Sequence, residues 1–149
     1  QIIEIHDVCA FIQRTNADGA AEILLRRRAD EAGETARNWW RGMWELPRTS
    51  VGADETPHDA LRRVLRELGV VEADSLIHIG AHLKTLQHGV THHRITLDCW
   101  AVTLEGASGS KAQWFTMEAT LPLAMPSTMR RLLAWLRRHV TTNQQLPLL

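Results

Sequence analysis

The sequence has few cysteines and few lysines. Its 149 residues include two cysteines, Cys9 and Cys99, each inside an apolar segment typical of a β-strand. Two cysteines cannot supply the four thiolates of an iron–sulfur cluster or of a structural zinc site. We therefore expect both to be reduced core residues of a cytosolic protein, and we expect no metal or other cofactor in this domain.

Long apolar runs and a net charge are also missing. No apolar run approaches the ~20 residues that span a bilayer, and no signal peptide is recognisable, so we expect no membrane partner. The formal net charge is +0, which excludes a strong overall attraction to nucleic acid. The 17 basic residues comprise two lysines and fifteen arginines; arginine binds phosphate with two-pronged contacts, although codon bias gives the same composition. Because the chain begins with Gln1 rather than Met, we expect a fragment or a processed chain.

The sequence pattern predicts an α+β fold, in which a mixed β-sheet packs between helices. Strands are predicted over 7–14 and 22–28 around a turn, near Trp44, and over 75–87, 94–106 and 111–117. One helix is predicted from the cap Thr56 to the stop at Gly69, and a second follows the cap Ser127. We assign residues 1–140 to one domain and 141–149 to a flexible C-terminal tail.

Six segments in this order resemble the Nudix fold, and more narrowly the C-terminal domain of the MutY-type adenine DNA glycosylases. They are ILLRRR, GMWELP, a helix ending RELGV, HLKTLQHGVTHHRITLDCWAVTLEG, AQWFT and PSTMRRLLAWL, and they span about residues 8–140. That family removes adenine mispaired with 8-oxoguanine during base excision repair, and its other domain carries the glycosidic chemistry and an iron–sulfur cluster. The resemblance implies a non-catalytic domain that recognises 8-oxoguanine in double-stranded DNA, in the cytoplasm of a bacterium, at the nucleoid.

The first helix departs from the pattern of Nudix hydrolases, in which carboxylates hold a divalent metal ion. Alignment on Gly69 keeps Arg62 and Glu67 but places Arg63 and Arg66 where two metal-binding carboxylates are expected. Arg48 falls on the first glycine of the pattern, and Asp54 falls on an early glutamate. Two guanidinium groups repel a metal ion, so we expect a degenerate, inactive site. Three alternatives stay open: a free-standing Nudix hydrolase with a relocated metal site, a protein-interaction module, and a plain solvated helix face.

The segment LQHGVTHHRI matches the place where the glycosylase family has a Phe-Ser-His motif beside the damaged base. The resemblance puts Val90, Thr91 and His92 on that motif and His88 on an earlier family histidine. The hydroxyl of Thr91 keeps a donor and an acceptor able to sense 8-oxoguanine, whereas Val90 lacks the aromatic ring. His92 is expected to bind phosphate or to brace the hairpin. The alternatives are a metal site, with His88 and His92 on one strand face and His93 on the other, and an ordinary polar hairpin turn.

Two other groups of residues are candidates for DNA contacts. Trp39 or Trp40 is expected to be exposed as a stacking surface for bases, and Trp44 is expected in the core. The second helix presents four arginines that are expected either to contact DNA phosphate or to form a solvated face: Arg130, Arg131, Arg137 and Arg138.

The C-terminal tail resembles the short glutamine–leucine motif by which bacterial repair proteins bind the sliding clamp. The residues that match are Gln145, Leu146, Leu148 and Leu149. The alternative is that these leucines fold back onto the domain.

Overall fold

The computed structural model describes residues 1–28, 39–106 and 111–140. These ranges contain two α-helices, α1 (Pro57–Glu67) and α2 (Ser127–His139), and two short 3-10 turns at Asp74–Leu76 and Glu118–Thr120. They also contain seven strands: β1 (Ile3–Thr15), β2 (Ala21–Arg27), β3 (Trp44–Glu45), β4 (Arg48–Ser50), β5 (Ile77–Val90), β6 (His93–Leu104) and β7 (Ala112–Thr116). The tail assigned to residues 141–149 lies outside the described residues, as do residues 29–38 and 107–110.

The strands form one mixed sheet in the order β3-β2-β1-β6-β5, with β4 paired to β1 and β7 paired to β2. The central strand β1 is parallel to β6 from Ile3–His93 to Ile12–Val102, and antiparallel to β2 and β4. The long β5–β6 hairpin is antiparallel and ends at the pair Val90–His93. This arrangement confirms the predicted α+β fold.

The two helices cover opposite faces of the sheet because side chains alternate along β1. Val8, Ala10 and Ile12 pack on one face, against a stripe on α1 formed by Ala60, Leu61, Val64, Leu65 and Leu68. Cys9 and Phe11 pack on the other face, against a stripe on α2 formed by Met129, Leu132, Leu133 and Leu136. Each helix therefore buries one apolar stripe in the core.

Cys9 and Cys99 are register partners on β1 and β6, and both thiols are free and buried. A hydrogen bond with Cys9, together with burial, raises the pKa of Cys99 well above its usual value. Both cysteines are thus free thiols in the core, the position that the sequence predicted. Within the described part of the chain, no helix is both long enough and apolar enough to cross a bilayer.

The capping prediction is confirmed for α1 and is wrong for α2. Thr56 caps α1, since its Oγ1 accepts a hydrogen bond from the backbone N–H of Asp59 at 3.1 Å, and Gly69 ends it with a φ of 72°. In α2 the cap is Pro126, whose carbonyl accepts from the N–H of Arg130 at 3.0 Å. Ser127 already has helical geometry, so its hydroxyl does not precede the first turn and caps nothing.

The β5–β6 hairpin is longer than the sequence pattern predicts. The segment 88–93 was expected to connect two strands, but pairing continues through it and leaves a turn of two residues, Thr91 and His92. Antiparallel pairing extends because nothing between Gln87 and Val90 removes a ladder hydrogen bond. The predicted lesion-sensing residues therefore lie at the very end of a two-stranded ribbon.

Candidate functional site

The end of the β5–β6 hairpin presents Thr91 to solvent in an unusual backbone conformation. Thr91 is exposed and has a φ of 52°, in the left-handed region that β-branched residues rarely adopt. Its Oγ1 donates a hydrogen bond to the carbonyl of Val90 at 2.6 Å. The hydroxyl proton is therefore used within the turn, and Nδ1 of His93 lies 3.3 Å from the same oxygen. A hydroxyl oxygen has two lone pairs, so one remains to accept a bond from a ligand.

The four predicted lesion-contact residues do not all face the same way. His92 is exposed in the turn, and Val90 is half-buried at the end of β5. His88 points inward, where its Nε2 lies 3.2 Å from Nη2 of Arg48. Burial, helped by the positive charge of Arg48, lowers the pKa of His88. Of the predicted set, Thr91 and His92 are thus at the surface, and His88 supports them from below.

A shallow cavity of about 360 Å³ adjoins the turn. Its lining includes Thr91, His92 and Arg94, together with Ile2 from the start of the chain. Ile2 is 57% exposed, so this end of the molecule combines an apolar side chain with hydrogen-bonding groups. The described residues contain no group of three or more histidine, cysteine or acidic side chains arranged to hold a metal ion.

A larger cleft of about 560 Å³ lies beside the hairpin, between β4, the C-terminal half of α1 and the turn that carries Trp39 and Trp40. Five cationic side chains line it: Arg26, Arg28, Arg48, Arg63 and Lys111. The arginines are matched by carboxylates. Nε of Arg48 donates to Asp7 Oδ2 at 2.9 Å, and Glu45 Oε2 lies 2.8 Å from Nε of Arg26 and 3.0 Å from Nε of Arg28.

Arg63 fills the place where the sequence alignment expected a metal-binding carboxylate. Its Nε and Nη2 donate to the two carboxylate oxygens of Glu55 at 2.8 and 2.9 Å, and Nη2 also donates to the carbonyl of Ser50 at 2.9 Å. The hydrogen bonds from Arg63, with one from the N–H of Gly52, lower the pKa of Glu55 to about 2. Glu67 Oε1 lies 3.7 Å from Nη1 of Arg63, so the acid that keeps its place on α1 faces a guanidinium group.

Arg66 and Asp54 lie away from this pair. Arg66 forms an ion pair with Asp74 at 3.1 Å, with both side chains about half exposed. Asp54, the expected counterpart of an early glutamate, is exposed, and its neighbour Glu55 makes the contact with α1. Arg62 lies 4.0 Å from Asp59 one helical turn earlier. The charged face of α1 is therefore a series of local ion pairs.

Comparison with known proteins connects this geometry to a family. The sequence model described as NUDIX domain matches residues 10–135. The chain belongs to the NUDIX domain family. The sequence matches none of the curated proteins.

Solved NUDIX structures share the fold over nearly the whole chain. The C-terminal domain of mouse MUTYH, solved in complex with human PCNA, is 22% identical with a TM-score of 0.66 over 91% of this chain and 88% of that one. The MutT protein of Methanosarcina mazei Go1 is 22% identical, with a TM-score of 0.68 and coverages of 93% and 96%. The NUDIX domain of Shewanella oneidensis NrtR, complexed with ADP ribose, is 18% identical, with a TM-score of 0.69 and coverages of 95% and 91%.

The residues of this NUDIX domain do not fit a divalent metal ion on α1. A hard cation needs several oxygen ligands, whereas Arg63 and Arg66 occupy the two positions and Glu55 is already bonded to Arg63 through both oxygens. The side chains at these positions therefore form an ion-pair network rather than a set of metal ligands.

The other predicted contact residues are divided between structural and exposed positions. Arg130 donates to the carbonyls of Thr120, Leu121 and Leu123, which fastens the turn before α2. The remaining α2 arginines, Arg131, Arg137 and Arg138, are exposed, and their contact with DNA stays a prediction. The clamp motif, Gln145 to Leu149, lies outside the described residues.

The tryptophans of the cleft contact the hairpin. Trp39 and Trp40 are both half-buried; the ring of Trp39 lies 4.9 Å from that of His93, and the ring of Trp40 lies 5.8 Å from that of His88. Trp44 packs on Phe115 at 5.0 Å, next to the core under α2. Trp39 and Trp40 thus pack against the β5–β6 hairpin.

Sequence reasoning missed Asp7 and the role of Arg48. Both are buried, with 6% and 1% of their surface exposed. A signal for Asp7 was present, because a carboxylate interrupts the apolar residues that alternate along β1 at positions 5, 9 and 11. From the sequence, Arg48 could be described only as the residue that replaces the first glycine of the Nudix pattern, since its partners come from distant parts of the chain.

Proposed function

We propose that this NUDIX domain is the 8-oxoguanine recognition domain of an adenine DNA glycosylase, acting in base excision repair of A:8-oxoguanine mispairs. The domain itself does not cleave DNA or nucleotides. The order of sequence segments that resembles the MutY-type glycosylases supports this proposal, and so does the shared fold of the mouse MUTYH C-terminal domain.

The observation that carries the proposal is the conformation of Thr91. A β-branched residue at a φ of 52° costs roughly 1–3 kcal/mol in backbone strain, and such strain concentrates at functional sites. Glycine or asparagine would relieve it, so the turn alone gives no reason for threonine. Binding explains it, because the turn places a hydroxyl oxygen at the outermost point of the hairpin, where a base edge in DNA can reach it.

The charges around the hairpin also suit DNA. His92 lies in the turn and Arg94 lies next to it, and Arg131 on α2 is close enough to His88 to influence its pKa. These side chains would contact phosphates and position the duplex, while Thr91 would read the lesion. Arg94 forms an exposed ion pair with Glu4 at 3.0 Å. Exposed pairs are weak, so phosphate can replace the carboxylate.

A binding assay on paired duplexes tests the proposal. The chain should prefer a duplex with 8-oxoguanine opposite adenine over the same duplex with guanine. Thr91→Ala should reduce that preference a few-fold to about tenfold, since a hydrogen bond is worth ~0.5–1.5 kcal/mol. Thr103→Ala is the matched control, because Thr103 is exposed on β6 at the opposite end of the hairpin and pairs with His78. Equal preference in Thr91→Ala and the parent would refute the lesion-sensing role.

The sliding clamp is the protein partner that we propose for the tail. A neighbour in fold, the C-terminal domain of mouse MUTYH, was solved in complex with human PCNA. Residues 141–149 carry the glutamine–leucine pattern, and Pro147 would reduce the entropy lost when the segment docks.

A peptide of residues 141–149 should bind a bacterial clamp, and deletion of residues 145–149 should abolish binding while the domain stays folded. No binding of the intact chain at about 100 μM clamp, an affinity worth less than ~5–6 kcal/mol, would refute this partner.

A further inference from the structure

We propose that Arg48 is a positioning residue for the recognition hairpin, and that it works by holding His88 as the neutral tautomer with its proton on Nδ1. The inference rests on the proposed function for its biological meaning. Its structural part concerns the hairpin alone and can be tested without DNA.

Arg48 is the centre of a buried cluster that joins four parts of the molecule. Its side chain is 0% exposed, and its Nε donates to Asp7 on β1 at 2.9 Å. Its Nη2 lies 3.2 Å from Nε2 of His88 on β5. Its Cζ lies 4.9 Å from the ring of Trp40, in the turn before β3. One guanidinium group on β4 therefore links β1, β5 and the tryptophan turn.

The identity of Arg48 fixes the protonation of His88. A guanidinium group is always a donor and has no acceptor, so Nε2 of His88 must offer its lone pair. The ring proton then sits on Nδ1, and the imidazole is neutral. Protonation of Nε2 would place two cations 3.2 Å apart in a partly buried position and break the bond.

His88 and its neighbours transmit this restraint to Thr91. His88 lies three residues before Thr91, and His93 lies two residues after it. Both project from the same face of the hairpin, because His88 pairs with Ile95 and Val90 pairs with His93. Trp40 covers His88 and Trp39 covers His93. Both strands are thus braced just below the turn.

The charged groups that face His88 act in opposite directions. Arg48 on β4 and Arg131 on α2 oppose its protonation, and Asp7 on β1 favours it. Burial adds to the effect of the arginines, so the pKa of His88 is lowered. His88 therefore stays neutral at neutral pH, and the bond from Arg48 persists there. Acidification is expected to loosen the hairpin without unfolding the sheet.

Nitrogen-15 NMR of the histidine rings tests the tautomer directly. In the parent chain, His88 should show an unprotonated Nε2 and a protonated Nδ1 at pH 7. Arg48→Lys keeps the positive charge beside Asp7, but a lysine lacks the planar fork with which arginine donates to Asp7 and His88 together. In this variant the His88 ring should therefore show a mixture of the two neutral tautomers. Arg130→Lys is the matched control, because Arg130 is a half-buried arginine that donates to the carbonyls of Thr120, Leu121 and Leu123 before α2 rather than to β4, and it should leave His88 unchanged.

Hydrogen exchange measures the consequence at the turn. Amides of residues 89–94 should exchange about tenfold faster in Arg48→Lys, the factor given by the loss of one hydrogen bond, while amides at the other end of the hairpin keep their protection. With Arg48 in place, His88→Gln should keep the protection of the parent chain, since its amide oxygen can accept from Arg48, whereas His88→Leu should lose it. The glutamine variant should also lose the acid sensitivity of these amides, because glutamine does not titrate.

Two results would overturn the proposal: an Nε2–H tautomer in the parent chain, or a hairpin in Arg48→Lys that is as protected as in Arg130→Lys. Neither readout involves DNA. A domain that fails to discriminate 8-oxoguanine, but shows the expected tautomer and exchange pattern, would refute the proposed function and leave the positioning role intact.

Discussion

Replacing Asp7 by asparagine removes one charge from a buried ion pair while keeping the size of the side chain. Arg48, its partner, is 0% exposed, and Asp7 is 8% exposed at the side chain. Removing one member of a buried pair typically costs ~3–5 kcal/mol, because the other charge is left without compensation. This cost is a large share of the free energy of unfolding of a typical domain, which is ~5–15 kcal/mol. The melting temperature should fall by about 6–20 °C, at ~2–4 °C per kcal/mol.

Glu4→Gln provides a control with the same chemical change. Glu4 pairs with Arg94 at 3.0 Å, close to the 2.9 Å of the buried pair, but the two side chains are 63% and 52% exposed. Exposed pairs contribute ~0–1 kcal/mol, so this variant should be nearly as stable as the parent. The two variants differ in burial of the pair rather than in distance or chemistry.

Urea unfolding, followed by tryptophan fluorescence and by far-UV circular dichroism, measures both variants. A second variant that adds Arg48→Met to Asp7→Asn should recover much of the loss, because it removes the uncompensated charge. The reasoning would be refuted if Asp7→Asn cost under ~1 kcal/mol, as expected for the exposed pair. It would also be refuted if the double variant were less stable than Asp7→Asn alone.

Three further predictions concern catalysis, pH and strain. The chain should not hydrolyse 8-oxo-dGTP with Mg²⁺ or Mn²⁺, measured as phosphate or pyrophosphate release; turnover that Glu67→Gln abolishes would instead support a hydrolase. Glu55 has a pKa of about 2 against 4.5 for a free side chain, so its contribution to stability should be complete above pH 4.5 and decline as the pH falls toward 2. Unfolding of Glu55→Gln and the parent across pH 2–7 should give curves that converge at the acid end, and parallel curves would contradict this. Thr91→Gly should raise the free energy of unfolding by about 1 kcal/mol by relieving the positive φ and lower the preference for 8-oxoguanine in the duplex assay; lower stability would show that Thr91 is not strained.

Local patterns in the sequence predicted the elements of the fold well. The apolar stripes of α1 and α2, the cap at Thr56 and the stop at Gly69 depend on residues within one or two helical turns of each other. The start of α2 was predicted one residue too late, because Pro126 and Ser127 are both compatible with a helix start and only backbone geometry decides between them.

The interior of the site could not be predicted in the same way. Arg48 lies 41 residues from Asp7 and 40 residues from His88 along the chain. No spacing rule connects such positions, so the alignment could show what Arg48 replaced but not what it binds. The same holds for Arg63, where the alignment revealed a missing carboxylate and the structure revealed its partner, Glu55. Contacts between side chains on different strands depend on the tertiary fold and cannot be deduced from the local sequence.

The parallel pairing of β1 with β6 has a consequence for the order of folding. Ile3 pairs with His93, so 90 residues (93 minus 3) separate partners in the centre of the sheet. Contacts between such distant positions form slowly, because the loop entropy must be lost before the contact is gained. During synthesis, β1 emerges long before β6 exists and presents an unpaired apolar edge. We therefore expect the nascent chain to depend on chaperones until residue 102 has left the ribosome.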